Sequence, residues 1–398
     1  MVVFTASLQG QSLRGDDHET DYEIKIINNN KAVQIIKYRG KEKDVHIPSQ
    51  INNLPVTAIG NSAFEDNQLT SVTIPTGMKS LGNKAFEKNN LIDVTIPKTV
   101  TVIGKRAFAL NQLVSVTIPS GVTSMGEAAF LDNHLTSVTI PNRVTVIEKG
   151  TFAKNQLTYV TIPNSVTTIG KEAFVGNRLA SVTIPNSVTT IEEGGFAWNR
   201  LTSVTIPKSV AVIGRRAFTN NQLTSVTISD GVKSLGNMAF EKNKLTAVTI
   251  PNSVTTLGDG AFAYNQLTSV TIPNNAVIGQ GGFAFNQLTS VTIPTGVTTI
   301  ADLAYYGNQL TSVSIPNGVT AIGKWAFKKN KLDHVTIPDS VTTIGDGAFA
   351  ENQLVSVTIP NSVTVLGDGA FAENQLVSVT IPNSVTVLRS CLQKSINW

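Results

Sequence analysis

One motif of 22 residues repeats through most of this 398-residue chain, and this period constrains the fold more than any other feature. The motif reads L-x-x-V-T-I-P-x-x-V-x-x-I-G-x-x-A-F-x-x-N, and its leucine recurs at 15 positions from Leu69 to Leu376. Every interval is 22 residues except the step from Leu267 to Leu288, where "PNNAVIG" is one residue shorter than "PNSVTTIG". One short unit cannot bury its own apolar side, so such units must stack on one another.

The residue types within a unit indicate how each coil is built. In "SVTI", Val72 and Ile74 are expected to point inwards while Ser71 and Thr73 point outwards, because side chains alternate along a strand. The proline that follows lacks an N–H group and ends the strand. "SVTTI" is then expected to turn the chain, and the glycine with "xxAF" to begin a tight helical turn that buries the phenylalanine. The recurring Asn is expected to point inwards and cap backbone groups.

The period and these residue types together predict a leucine-rich-repeat solenoid of the α/β, strand-rich type. One face is expected to be a curved parallel β-sheet, and the other to hold short helical turns and irregular segments. The consensus unit, LTSVTIPNSVTTIGDGAFAENQ, also resembles the BspA-like (Treponema-type) leucine-rich repeats of bacterial and some protist surface proteins. The resemblance covers residues 22–388, although the family usually has Cys where this chain has Asn. It implies extracellular binding, typically adhesion to host or neighbouring-cell proteins.

The two ends of the chain depart from the repeat. Residues 22–68 predict an N-terminal cap and a degenerate first repeat, since "YEIKII" and "AVQIIKY" alternate like a hairpin around three asparagines. Residues 69–388 are expected to hold about 15 tandem repeats. Residues 1–21 are expected to form a flexible polar arm, and residues 389–398 a divergent tail that is either a cap or the product of a frameshift.

The family resemblance implies an extracellular or cell-surface location, which the first residues only partly support. They lack the basic region and the longer apolar stretch of a complete secretory signal. Two interpretations stay open: Val2–Ser7 is the tail of a truncated signal, or the chain is cytoplasmic.

The composition argues against several classes of function. Charged residues make up only 15% of the chain, and the net charge of 31 − 27 = +4 is mild and spread thinly, which argues against nucleic-acid binding. No apolar stretch is long enough for membrane insertion. One cysteine and four scattered histidines form no metal-binding pattern, and "GDGAF" lacks the lysine and the context of a phosphate loop. We therefore expect no enzymatic activity, no catalytic or metal-binding residues and no cofactor.

Variation between otherwise constant units marks the candidate partner-binding residues. Aromatic residues closely follow the core aromatic position in three successive units, and lysines cluster in the next unit. Stacking is expected to bring them to one edge, and exposed aromatics beside cations are typical of protein-binding hot spots. Alternatively, they pack over the irregular region around the one-residue deletion. The candidates are Tyr264, Phe285, Tyr306, Lys324, Trp325, Lys328, Lys329 and Lys331 on this edge, and Tyr159, Asp333 and His334 on the sheet face.

An RGD tripeptide, formed by Arg14, Gly15 and Asp16, is a candidate integrin-binding motif in the expected N-terminal arm. It matters only if the protein leaves the cell and meets animal tissue. Residue frequencies alone produce such a tripeptide in roughly one chain of this length in ten.

These observations predict a non-enzymatic protein–protein binding module, a secreted or surface adhesin-like protein with a ligand of host or extracellular-matrix type. Two alternatives stay open. The Ser/Thr columns, including Thr205, Thr227 and Thr249, are a candidate lattice for glycan or ice. The identical units 345–366 and 367–388 also fit a truncated, duplicated copy without selected function. The sequence leaves the oligomeric state open.

Overall fold

A computed structural model describes residues 19–388, which lie in two compact units, Met1–Arg200 and Leu201–Trp398. Within the described residues the helical content is one short 3-10 helix, Glu19–Asp21, and the remaining regular elements are strands. The predicted strand-rich solenoid of stacked coils is therefore confirmed. The strands of the first unit are β1 (Tyr22–Ile27), β2 (Ala32–Tyr38), β3 (Asp44–His46), β4 (Gln50–Ile51), β5 (Leu54–Ile59), β6 (Ser71–Thr73), β7 (Ser80–Leu81), β8 (Val102–Ile103), β9 (Ser124–Met125), β10 (Ser137–Thr139), β11 (Val146–Ile147), β12 (Tyr159–Thr161), β13 (Thr168–Ile169) and β14 (Thr190–Ile191).

The strands of the second unit are two to four residues long. Its strands are β15 (Ser203–Ile206), β16 (Val212–Ile213), β17 (Ser225–Ile228), β18 (Ser234–Leu235), β19 (Ala247–Thr249), β20 (Thr256–Leu257), β21 (Ser269–Thr271), β22 (Val277–Ile278), β23 (Thr299–Ile300), β24 (Ala321–Ile322), β25 (Thr343–Ile344), β26 (Val357–Thr358), β27 (Val365–Leu366), β28 (Val379–Thr380) and β29 (Val387–Leu388).

The chain enters the first unit through a hairpin. Strands β1 and β2 pair antiparallel, and the three asparagines between them all have positive φ. Strand β2 then pairs parallel with β5, and β5 with β7, so the hairpin leads directly into the ladder of the repeats. The predicted hairpin is thus present.

The repeats contribute to two parallel ladders rather than one. The "SVTI" ladder is discontinuous, formed by pairs such as β10–β12, β15–β17 and β19–β21. The segment expected to turn the chain, "VTTI", instead forms the longer ladder, which runs through β7–β8–β9 and β11–β13–β14 in the first unit. In the second unit it runs through β16–β18–β20–β22 and β23–β24–β25–β27–β29. The β-branched pair before the glycine favours extended backbone, which explains the second strand.

The glycine that follows this second strand lets neighbouring coils approach closely. A Cβ atom on Gly82 would lie 2.6 Å from the carbonyl carbon of Gly60, and one on Gly104 would lie 2.5 Å from that of Gly82. These contacts are backbone to backbone and cannot be relieved by a side-chain movement. Glycine permits the close approach in these coils, whereas Glu148, Glu192 and Ala301 take the same position in three other coils.

The segment expected to form a short helical turn is a corner of tight turns instead. In each of the 15 coils, the residue two before and the residue two after the core aromatic position have φ between +52° and +69°. Gly260 and Tyr264, on either side of Phe262, are examples. Because these left-handed residues recur four positions apart, no more than three right-handed residues follow one another, which prevents a helix. We call these two positions the left-handed columns.

Backbone hydrogen bonds nevertheless connect the corners of successive coils in a regular pattern. Backbone N–H groups of Gly260, Phe262 and Tyr264 donate to carbonyl oxygens of the next coil, at 2.8, 2.9 and 3.0 Å. The left-handed residues point these N–H groups the same way, so the corner forms a third hydrogen-bonded ladder. Side chains from successive coils are thereby aligned along the surface.

The core consists of stacked columns of identical side chains. Phe130 and Phe152 are fully buried, with ring centroids 5.7 Å apart and planes at 4°. The amide of Asn155 donates to the carbonyl oxygens of Phe130 at 2.9 Å and Phe152 at 3.2 Å, and its Oδ1 accepts the N–H of Leu135 at 3.0 Å. The inward, capping role predicted for this Asn is confirmed.

Candidate protein-binding surface

Large aromatic side chains occupy the left-handed columns at four places. Trp198, Tyr264 and Phe285 follow the core phenylalanine by two residues, and Trp325 precedes it by two. They are 61%, 45%, 40% and 44% exposed, respectively. Left-handed backbone costs a residue with a side chain about 1–2 kcal/mol, and solvent exposure of an aromatic ring adds to that cost.

Three of the predicted aromatic residues form one continuous cluster, which we call the aromatic ladder: Tyr264, Phe285 and Tyr306. The rings of Tyr264 and Phe285 stack with centroids 4.3 Å apart and planes at 14°. The ring of Tyr306 meets Phe285 edge-on, at 4.9 Å and 68°. The corner hydrogen bonds hold this spacing, since the N–H of Phe285 donates to the carbonyl oxygen of Tyr306 at 2.7 Å. Stacking of the coils thus brings these three rings together, and their role in partner binding stays a prediction.

Glycines in neighbouring coils make room for the exposed rings. A Cβ atom on Gly307 would lie 3.2 Å from the ring of Phe285, and one on Gly347 would lie 2.5 Å from Cδ1 of Trp325. Each ring thus leans over a glycine of the following coil. Because Trp325 lies in the other left-handed column, it is placed beside the ladder rather than within it.

Two lysines flank the aromatic ladder along the stacking direction. The Nζ atom of Lys242 lies 5.8 Å from the ring centroid of Tyr264, and that of Lys329 lies 5.8 Å from the centroid of Tyr306. Both distances are within cation–π range. A hydrogen bond to Tyr306, and secondarily the charge of Glu351, raise the pKa of Lys329 above its ordinary value of 10.5. Lys329 therefore stays positively charged at neutral pH.

Three of the predicted cations on this edge are engaged in ion pairs. Lys324 pairs with Asp346 at 2.9 Å, and Lys328 pairs with Glu351 at 3.1 Å. Lys329 lies 3.8 Å from the same Glu351 carboxylate. These pairs reduce the excess positive charge beside Trp325.

The predicted residues of the sheet face lie in a different part of the coil from the aromatic ladder, which is at the corner. Tyr159 is 56% exposed in β12, where its register partner is Ser137. Asp333 and His334 lie on the "SVTI" segment of their coil, with His334 Nδ1 2.5 Å from Asp333 Oδ1. Both side chains are largely exposed. The RGD tripeptide, Arg14 to Asp16, falls outside the described residues.

The Ser/Thr columns line one open groove in the second unit. It has a volume of about 650 Å³, and its lining includes Ser225, Thr227, Thr249, Thr271 and Asp230. It lies where β17 and β19 are adjacent but not paired. The hydroxyl register is regular, with Thr205 opposite Thr227 and Thr249 opposite Thr271.

Sequence reasoning missed Trp198, the most exposed of the aromatic side chains in the left-handed columns. A signal was present, since Trp198 follows Phe196 by two residues, as Tyr264 and Phe285 follow their own core phenylalanines. Aligning the units on that basis places Trp198 in the same column as Tyr264 and Phe285.

Between residues 19 and 388 there is no group of three or more His, Cys, Asp or Glu side chains arranged to hold a metal ion. Over the same range, no helix is long and apolar enough to cross a lipid bilayer.

Solved structures of bacterial leucine-rich repeat proteins are similar to the chain. A leucine-rich repeat protein from Bacteroides ovatus ATCC 8483 is 24% identical, with 95% of this chain and 98% of that chain covered and a TM-score of 0.69. A leucine-rich repeat protein from Eubacterium ventriosum ATCC 27560 is 22% identical, with coverage of 92% and 96% and a TM-score of 0.49. A leucine rich cell surface protein from Faecalibacterium prausnitzii A2-165 is 23% identical, with coverage of 97% and 95% and a TM-score of 0.42. The Bacteroides structure supports the solenoid fold.

Among curated protein sequences, none matches the chain significantly. A family model does match, described as the BspA type leucine rich repeat region (6 copies), over residues 57–180, 167–284 and 276–397. These matches span far more than half of the chain and include the aromatic ladder. The protein therefore belongs to the BspA type leucine-rich-repeat family.

Proposed function

We propose that this protein is a non-enzymatic protein-binding module at the cell surface, and that the aromatic ladder is its contact surface. Leucine-rich-repeat proteins of this bacterial type are generally protein-interaction modules. The observation that carries the proposal is the exposed, mutually stacked set of Tyr264, Phe285 and Tyr306, with a lysine at each end.

The energetics of the ladder favour a binding role over a purely structural one. Other coils fill the same corner positions with Lys, Asp, Asn or Gly, and they keep the same backbone conformation. The fold therefore does not need aromatic rings there. Exposed apolar area beside cations becomes favourable when a partner covers it, and Tyr is among the residues enriched at interface hot spots.

A surface location and an adhesive role are supported by the family. One of the similar structures is itself described as a leucine rich cell surface protein. A partner of host, neighbouring-cell or extracellular-matrix type fits that location. Surface proteolysis of intact native cells tests it directly: release of fragments from intact cells is expected, and full protection while a lysed sample is cleaved would contradict it.

The contact surface is tested with a variant in which the three aromatic residues are replaced by residues found at the equivalent positions of other coils. Tyr264→Asn and Phe285→Asn copy Asn220, and Tyr306→Ala copies Ala263, so the backbone is expected to stay unchanged. Binding of labelled protein to intact cells and to coats of extracellular-matrix proteins is measured for the wild type and this triple variant. We expect at least a tenfold loss, about 1.4 kcal/mol or more, because the hot-spot residues are removed.

The matched control is Leu110→Asn together with Lys154→Asn, which changes the same column in the first unit. This control is expected to bind like the wild type. If the triple variant binds as well as the control while keeping its fold, the ladder is not the contact surface.

Glycan binding by the hydroxyl columns is a second candidate, favoured by the groove beside Thr227, Thr249 and Asp230. It predicts that Thr227→Tyr and Thr249→Tyr, which fill the groove, abolish binding on a glycan array, whereas the triple aromatic variant has no effect. Protein binding by the ladder predicts the reverse pattern in the cell and matrix assays.

A further inference from the structure

We infer that the partner contacts the aromatic ladder with an extended peptide segment that has an apolar centre and acidic residues at both ends. This inference rests on the proposed function and specifies its partner. It follows from how charge is distributed along the five coils that contain the ladder and its flanks.

Positive charge is concentrated at both ends of this stretch. The coil before the ladder presents Lys242 and Lys244, and the coil after it presents Lys328, Lys329 and Lys331. Among the described residues, Lys242, Lys244 and Lys331 form no ion pair. Lys328 and Lys329 share a single carboxylate, that of Glu351, which leaves positive charge in excess at that end as well.

The centre of the stretch is uncharged. The column beside the ladder reads Lys244, Gln266, Gln287, Gln309 and Lys331, so three amides lie between the two lysines. On the other side of the rings, the first two coils of the ladder have the small, buried residues Ala263 and Ala284, which add no charge. A partner therefore meets a neutral, partly aromatic surface between two cationic ends.

The acidic residues of these coils are used within the protein. Oδ1 of Asp259 accepts the N–H of Gln280 at 2.8 Å, and Oδ1 of Asp302 accepts the N–H of Lys324 at 2.7 Å. Both belong to the position before the first left-handed column and bind backbone groups of the next coil. Glu241, next to Lys242 in the coil before the ladder, accepts a hydrogen bond from the Thr219 hydroxyl at 3.2 Å and, within the described residues, forms no ion pair with Lys242.

The distance between the flanking lysines indicates how long the partner segment must be. Lys242 and Lys329 occupy the same column four coils apart, and at about 4.8 Å per coil they are separated by roughly 19 Å. An extended chain advances about 3.3 Å per residue, so roughly six residues span this distance. A uniformly anionic polymer fits poorly, because its central charges would be desolvated against rings and amides without a cation.

The inference is tested by selecting from a displayed library of random peptides of about 12 residues. The library is panned on the wild-type protein and depleted on the variant Tyr264→Asn, Phe285→Asn, Tyr306→Ala. Peptides with an aromatic or aliphatic centre and Asp or Glu about six residues apart are expected. Synthesised peptides are then titrated by fluorescence anisotropy.

Removing the unpaired flanking lysines tests the charge requirement. Lys242→Gln with Lys331→Gln is expected to weaken the selected peptides about tenfold, and raising the salt from about 50 to 500 mM to weaken them similarly. The matched control, Lys154→Gln, changes an exposed lysine of the same column in the first unit and is expected to have no effect.

The outcomes separate this inference from the proposed function. If the selected peptides lack acidic residues, or bind equally well to the double lysine variant, the inference is overturned while ladder binding stands. If no peptide prefers the wild type over the aromatic variant, both are overturned.

Discussion

The corner of the coils has one backbone conformation but two kinds of surface. Between residues 62 and 132 it carries alternating charges that pair across neighbouring coils: Lys84 with Glu65 at 3.1 Å, Arg106 with Glu87 at 2.5 Å, and Lys105 with Glu127 at 2.6 Å. We call this region the charged corner. Between residues 260 and 307 the corner instead carries Gly, Ala and the aromatic ladder.

The two regions differ in how far their surface side chains find partners within the protein. In the charged corner the side chains satisfy one another, so the surface needs no partner. In the aromatic ladder the rings stack but remain about 40–45% exposed at Tyr264 and Phe285. Because the backbone and core are the same in both, the surface side chains can change without altering the fold.

The largest expected effect concerns the core that both regions share. Asn133→Ala, under the charged corner, and Asn286→Ala, under the ladder, each remove an amide that bonds to two coils. Asn133 accepts the N–H of Leu113 at 3.0 Å, and Asn286 accepts that of Leu267 at 3.0 Å. Each loss leaves buried backbone groups unpaired and is expected to cost about 3 kcal/mol.

Urea denaturation of the two Asn variants measures this effect. Equal losses would confirm that the core under both corners is equivalent. A loss at one site more than twice that at the other would show that the regions differ beneath the surface as well.

The second prediction isolates the charged corner. The Glu87 side chain is only 5% exposed and contacts both Arg106 and Lys84. Glu87→Gln leaves the Arg106 guanidinium without its anionic partner, and since Arg106 is 26% exposed we expect a loss of about 2 kcal/mol. The control Glu127→Gln removes an exposed pair and is expected to change the free energy of unfolding by less than about 0.5 kcal/mol. Equal effects of the two substitutions would contradict the assignment of Glu87 as a buried partner.

The third prediction isolates the region of the aromatic ladder. Tyr305 replaces phenylalanine in the core column, and its buried hydroxyl has no hydrogen-bond partner in the described structure. Burial also raises the pKa of Tyr305, so the hydroxyl stays protonated. Tyr305→Phe is expected to stabilise the protein by about 1 kcal/mol, measured by urea denaturation. A loss of stability would mean that the hydroxyl has a partner, and Phe283→Tyr, which adds an unpartnered hydroxyl to the preceding coil, serves as the reverse control.

The smallest effect is a dependence on acid that is confined to the charged corner. A hydrogen bond from Ser62, opposed in part by burial and aided by Lys84, holds the pKa of Glu65 below 4.5. Since the folded-state pKa is lowered, the stabilisation is present above about pH 4.5 and is lost as the pH falls through the folded value. Hydrogen exchange is expected to speed up around residues 62–88 on acidification and to change less around residues 260–307.

Ser62→Gly provides the control for the acid effect, because glycine keeps the left-handed backbone and removes the hydroxyl. The variant should show a weaker response to acid at this corner. An identical response would assign the acid sensitivity to another group.

Sequence reasoning predicted the solenoid, the inward Val and Ile, and the roles of the Phe and Asn columns, because these depend on burial and on the backbone hydrogen bonds that a buried amide makes. It placed a turn where the second strand forms and a helical turn where the corner lies. Both differences arise from contacts between coils. Extended backbone at Thr168–Ile169 is stabilised by pairing with Thr190–Ile191 of the next coil, and left-handed residues are favoured because their N–H groups reach the following coil.

The same division applies to the candidate site. The sequence was sufficient to predict which residues belong to the site, since the aromatic residues Tyr264 and Phe285 interrupt a constant pattern. Trp198 was missed although it follows Phe196 by two residues, as Tyr264 and Phe285 follow Phe262 and Phe283. Trp325 was grouped with the ladder, but the structure places it in the other left-handed column.

The sequence by itself determined the period, the buried columns and the stacking of coils, because one apolar side per unit can be buried only against a neighbouring unit. The tertiary structure alone decided which exposed side chains meet. Tyr264 and Phe285, 21 residues apart in the chain, stack at 4.3 Å because hydrogen bonds between coils align the corner. Alignment of this kind depends on backbone handedness, which side-chain patterns do not encode directly.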